Sequence, residues 1–198
     1  MQRKGDEYTI PKVKYTYEKV SWETFMSNNY NGYKTVRSPF IPYAMINDES
    51  YWVLGSFVDF PNDILTDFGG SCIVYDPPVR YLRRNEKQTR NYQHSFGCAM
   101  IELNEESKGL LVKPVLKSLP RDDTLIYRGV DRQRKEYVWF VFVNIDYEEA
   151  KLAIANFDKA PDVVNEKFGP INFYKGKDVI EGKYRTSRNL TDFIFSLK

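Results

Sequence analysis

Hydrophobic positions along the chain fall into two textures. Residues 1–40 are polar and aromatic and are broken by Asn and Pro (SNNYNGYKTVRSPFIP). That pattern predicts an irregular N-terminal extension packed on the rest, with one short helix from Ser21 through Met26 capped by the Ser21 hydroxyl. From Ile41 onward, short apolar runs alternate with turns. Tyr43–Ile46 and Tyr51–Gly55 read as strands around Asn47-Asp48-Glu49-Ser50, Asp59–Asp63 as a loop, and Ser71–Tyr75 as a strand stopped by Pro77-Pro78. Cys98–Lys108 is the clearest helix: Ala99 and Leu103 sit four apart on one face, and Gly109 ends it. Thr124–Tyr127 and Tyr137–Ile145 follow as strands. The second (YVWFVFVNI) is apolar at both parities, as a buried central strand should be. Asp146–Phe157 carries Ala150, Ala153, Ile154 and Phe157 at helical spacing, while Asn189–Leu197 suits a helix or a strand. No repeat or linker interrupts 41–198, which reads as one domain behind the extension.

Composition alters this picture little. With 42% hydrophobic and 28% charged residues, a 198-residue chain is an ordinary globular protein with a sizeable core. Its 15 Tyr, 13 Phe and 3 Trp suit a strand-rich core, and equally surfaces on which flat ligands stack. A net charge of +2 leaves any nucleic-acid binding to local patches. Cys72 and Cys98 show no paired spacing. This argues against a disulfide scaffold, a zinc site or a disulfide-linked partner, and for a reducing compartment. No run approaches the roughly 18 apolar residues of a membrane span. The N-terminus lacks the apolar core of a signal peptide, so the expectation is a cytoplasmic protein with no membrane association.

Candidate chemistry lies on the Cys98–Lys108 helix. Glu102, Glu105 and Glu106 stand at i, i+3 and i+4, so their carboxylates share a face. That spacing suits a solvated helix face, but three carboxylates converging on one point suit a hard divalent cation, Mg2+ or Mn2+. The neighbouring residues favour the cation. Thr66-Asp67-Phe68-Gly69-Gly70, then Asp76, then Ala99, Glu102-Leu103-Asn104-Glu105-Glu106 and Gly109-Leu110 resemble the Nudix box, G-x5-E-x7-R-E-U-x-E-E-x-G-U with U apolar. Gly70 matches the opening Gly, Asp76 falls where the first Glu belongs, and Glu102–Glu106 match E-U-x-E-E. The resemblance runs from about Tyr43 to Ile145. It departs at three points: Ile101 stands where the family has an Arg that orients a motif Glu, Arg80–His94 is inserted, and Lys108 is one residue extra before Gly109.

The resemblance implies an α+β fold, a Nudix-type α/β/α sandwich with a mixed β-sheet. It also implies metal-assisted hydrolysis of a nucleoside diphosphate linked to another group, with Glu102, Glu105 and Glu106 holding Mg2+ or Mn2+ against the pyrophosphate. A further acid from a later loop often acts as ligand or base in the family, and Glu149, beside Glu148, is placed for that; both acids equally suit the first turn of a helix. The insertion carries Arg80, Arg83, Arg84, Lys87 and Arg90 interleaved with Tyr81 and Tyr92, the ingredients of single-strand RNA binding and also of a solvated loop. This layout is similar to the mRNA-decapping Nudix proteins of large DNA viruses, which implies capped RNA or a nucleotide as the bound partner. A methylated guanine is cationic and would stack on aromatic rings, with Trp52, Trp22 or Trp139 as partners. Ile101 and the interrupted box motivate a second reading, a Nudix-type module that binds capped RNA or nucleotide without cleaving it. A protein-interaction role with a solvated glutamate face is the third, and no protein partner is indicated. His94, the only histidine, reads as a surface or packing residue.

Overall fold

The apolar run of residues 136–144 is the axis of the molecule. The structure, a computed structural model, describes residues 15–27, 31–56, 64–120, 122–163 and 168–198. In chain order its elements are β1 (Thr16–Val20), α1 (Trp22–Met26), β2 (Lys34–Arg37), β3 (Phe40–Ile46), β4 (Glu49–Leu54), β5 (Ile64–Leu65), β6 (Ile73–Asp76), β7 (Thr89–Tyr92), α2 (Ser95–Glu106), α3 (Val112–Lys117), β8 (Leu125–Asp131), β9 (Glu136–Asn144), α4 (Tyr147–Asn156), β10 (Asn172–Lys175), α5 (Gly176–Ile180), β11 (Arg185–Thr186) and α6 (Arg188–Ser196). The main sheet runs β1-β8-β9-β3-β4-β10, with β2 also on β9. One edge of β9 pairs antiparallel with β8; the other is shared by β2 and β3, both parallel to it.

Side-chain alternation in β9 divides the core in two. Tyr137, Trp139, Val141 and Val143 pack with Phe25, Ala99, Leu103, Val115 and Ala150 from α1 to α4. Val138, Phe140 and Phe142 pack with Val179, Leu190 and Phe193 from α5 and α6. The result is the α/β/α sandwich with a mixed sheet that was expected. Phe140 and Phe193 stack at 4.3 Å between centroids, and the buried Trp139 indole donates to the Thr35 hydroxyl at 3.0 Å, so its polar end is not stranded. No helix among the described residues is long and apolar enough to cross a membrane.

Several local expectations change. The segment read as irregular holds β1 and β2, both strands of the central sheet, as well as α1, whose Ser21 hydroxyl accepts from the Thr24 N–H as expected. The first hairpin turns on Asn47-Asp48 alone, at φ 50° and 63°, a two-residue turn that fits the sheet's twist and lets β4 begin at Glu49. Helix α2 starts at Ser95, before the expected Cys98, and the C-terminal segment is the helix α6. The insertion is a β6–β7 hairpin with a 3-10 turn at its tip side (Val79–Tyr81). The Asp59–Asp63 loop lies outside the described residues.

The expectation of unpaired, reduced cysteines is overturned: Cys72 and Cys98 form a disulfide, with Cα atoms 5.4 Å apart and both residues buried. Tertiary structure, not spacing, brings them together. The Cys72 N–H bonds the Val36 carbonyl, and the Cys72 carbonyl accepts from Gln93, which leads directly into α2. Closing a loop over a sequence separation of 26 restricts the unfolded chain and contributes about 3 kcal/mol. Cys72→Ala/Cys98→Ala should therefore lower the unfolding free energy by that amount and the urea midpoint with it, and reductant should bring the wild type to the same midpoint. A midpoint indifferent to both would show that the bond contributes nothing.

Candidate functional site

The site forms where β9's edge changes hands from β2 to β3. The chain passes from Arg37 through Ser38-Pro39 to Phe40, and the Phe68–Ser71 segment docks across this break through the bridges Phe40↔Phe68 and Arg37↔Ser71. Gly69 permits the approach: a Cβ there would stand 2.4 Å from the Pro39 Cβ and 2.6 Å from its Cα. Gly70 permits a second one, because its Cβ would fall 2.4 Å from Glu102 Oε2. The loop backbone thus lies directly on the carboxylate face of α2.

Gly69 joins two charged groups through one residue. Its backbone lies against Glu106 and favours the ionised carboxyl, and its carbonyl accepts from Arg37 Nη2 at 2.7 Å. Arg37 also forks onto Asp67, Nη1 to Oδ2 at 3.2 Å and Nη2 to Oδ1. Asp67 is fully buried and the Arg37 side chain nearly so. Burial works most strongly against the Arg37 charge, but the charge and hydrogen bond of Asp67 together with the charges of Glu106 and Glu102 raise the guanidinium's pKa.

Glu106 is the incompletely satisfied member. It is 4% exposed, and its Oε2 has no hydrogen-bond partner. Burial above all, then the charges of Asp67 and Glu102, push its pKa up to about 9; Arg37 and the Gly69 backbone offset this only in part. Without a further cation the carboxyl therefore holds a proton at neutral pH.

Among the described residues, no three acidic, His or Cys side chains stand together as a ready metal cage. A smaller demand does fit. Mg2+ is commonly held by one or two carboxylates while phosphates and waters complete its shell. The orphaned Oε2 of Glu106 meets that requirement, with Glu102 one helical turn away on the same face, while both oxygens of Asp67 are taken by Arg37.

The other expected site residues scatter. Glu105 is half-buried on α2 and is not among the groups that chiefly set Glu106's ionisation. Ile101 is 45% exposed, so its side chain leaves the motif position without a cation. Glu149 pairs with Lys117 beside Met45 and Asn144, at the opposite end of β3 from Phe40. Five residues of strand put that end about 15 Å away. Trp52 is buried against Phe142, on the sheet face opposite α2. Arg80, Arg83, Arg84 and Lys87 are exposed on the hairpin arm, with Arg80 over the Tyr81 ring at 4.9 Å. That arm leaves and returns at the Cys72–Cys98 bond, so its root lies beside the site. Asp76 sits in β6, where its carbonyl takes the Thr89 hydroxyl. Trp139 is core, and His94 precedes α2 with its ring Nε2 3.1 Å from the Met26 carbonyl.

Sequence reasoning did not single out Arg37 as functional, and Asp67 entered only as part of the approach to the glycines. Nothing local marks Arg37, since its role depends on docking of the 66–71 segment. A hollow of about 420 Å³ opens next to the pair, lined by Tyr15, Arg37, Gly70, Ser71, Ser187 and Asn189.

No family model and no curated protein matches the chain. Among solved structures, the chain is similar to one from Listeria monocytogenes assigned as a Nudix hydrolase, at 9% identity and a TM-score of 0.36, over 82% of this chain and 90% of that one.

Glu106 gives the metal-free protein a defined pH response. Its folded-state pKa lies above the ordinary carboxyl value, so the stabilisation is complete below about pH 4.5 and is lost as pH rises towards about 9. The melting temperature of the metal-free wild type should fall more steeply over that range than that of Glu106→Gln. Parallel slopes would contradict the assignment.

Proposed function

We propose that the chain is a metal-dependent hydrolase of the Nudix type that cuts a nucleoside diphosphate linkage, with the triphosphate bridge of capped RNA as its substrate. The observation that carries this reading is the buried Glu106 carboxylate, left with one unpartnered oxygen beside Glu102 on the E-U-x-E-E helix. Bound Mg2+ or Mn2+ would supply the charge that polarises phosphoryl oxygens and acidifies water. Glu102 and Glu106 are the residues that would hold it. Glu105, more open on the same helix, would take the proton from the attacking water. The Gly69-Gly70 backbone packs against the Glu102 and Glu106 side of this face.

The choice of RNA rests on the arm. Arg80, Arg83, Arg84, Lys87 and Arg90 are all exposed, the Tyr81 ring is 64% exposed, and the arm is rooted beside the site. Cations spaced along a hairpin suit consecutive phosphates, and an exposed ring suits an unstacked base. Tyr15, in the hollow next to Arg37, is better placed to stack the terminal base than Trp52, and Ser71, Ser187 and Asn189 offer it hydrogen bonds.

Purified protein incubated with cap-labelled RNA and Mn2+ or Mg2+ should release m7GDP, and Glu102→Gln or Glu106→Gln should reduce release by at least about 100-fold. The exposed Ile101 and the lack of a three-ligand cage among the described residues favour a second reading, a module that binds capped RNA without cleaving it. Retention on a cap-analogue resin with no turnover in either metal would establish that reading and exclude the first.

A further inference from the structure

We infer that Arg37 does from strand β2 what the motif position occupied by Ile101 does not: it is the positioning residue that fixes the carboxylate face of α2 for a divalent cation. The inference rests on the metal-dependent reading above and concerns how the site is held together. Three observations carry it. The Arg37 fork spans both oxygens of the buried Asp67 and the Gly69 carbonyl, so it fixes the loop at two successive points. Gly69 then passes that placement on, because its backbone lies against Glu106 and favours the charged carboxylate. Gly70, lacking a Cβ, leaves room for the Glu102 carboxylate against the same loop. Meanwhile Ile101, 45% exposed, brings no charge to the motif position that it occupies.

Two other roles would place an arginine here, and each makes a different forecast. An arginine that merely stabilises the fold would leave the cation affinity of folded protein unchanged when replaced. One that competes with the metal would, by removal of its charge, raise that affinity. Positioning forecasts the reverse sign: loss of the fork frees the loop and Glu106, and the site weakens although a repelling charge has gone. Outer-shell partners of this kind typically change metal affinity or turnover by about 10–100-fold.

The test uses Arg37→Met and Arg37→Lys with the wild type, each checked for native near-UV circular dichroism. Mn2+ affinity is read by electron paramagnetic resonance without substrate, and kcat and KM are read with capped RNA. Expected for Arg37→Met are a Mn2+ Kd raised about 10–100-fold and a lowered kcat, with KM for RNA little changed. Arg37→Lys, which keeps the charge but cannot fork, should recover only part of the affinity. If Arg37→Met does not fold, the weakened Kd of Arg37→Lys decides in the same direction. An unchanged or tightened Mn2+ Kd in the folded variant overturns the inference. A wild type that binds Mn2+ but cleaves nothing would sink the hydrolase reading alone, leaving the Kd comparison to judge Arg37. A wild type that binds no Mn2+ overturns both.

Discussion

The structure turns on a carboxylate that has been taken out of water without being fully compensated. Glu106 sits 4% exposed against Asp67 and Glu102, with one guanidinium and the Gly69 backbone as its nearby compensation. Isolated charge at such a place is costly, and a group in that position either takes up a proton or gains a cation. Much of the local sequence serves to maintain this arrangement. Two successive glycines let the loop reach α2 and Pro39, Asp67 keeps Arg37 in place, and the Cys72–Cys98 bond ties the end of the loop to the helix one turn before Glu102.

That economy explains what could and could not be read from the chain. The α2 helix was legible because Ala99 and Leu103 mark a buried face, and Glu102 and Glu106 fall on a neighbouring stripe. The central strand was legible because apolar residues at both parities leave no solvent face. Glycines 69 and 70 entered only as the match to the opening of the motif; the structure shows that they let the loop approach Pro39 and the Glu102 carboxylate. Arg37 and the disulfide were not legible. Both depend on which part of β9's edge each strand takes, a tertiary choice that leaves no periodicity. Glu149 shows the converse: an acid after a strand looked like a late ligand, but α4 begins there and the dipole and Lys117 account for it.

The fold separates two tasks. The sandwich core fixes α2 and the 66–71 loop rigidly, and the basic hairpin between β6 and β7 projects from the same junction. The Cys72–Cys98 bond ties the root of that arm to α2, one turn before Glu102. The aromatic excess is mainly structural, with rings such as Phe140, Phe193, Trp139 and Phe25 filling the two core layers. Tyr15 lies near the site, and Tyr75, Tyr81 and Tyr92 lie on the arm.

The central claim is that Glu106 holds a proton until a divalent cation replaces it. Titration calorimetry of Mn2+ into the protein at neutral pH, in two buffers of different ionisation enthalpy, measures that exchange directly. The expected result is release of close to one proton per bound ion, abolished in Glu106→Gln. Binding with no proton release, or the same release in Glu106→Gln, would contradict the claim.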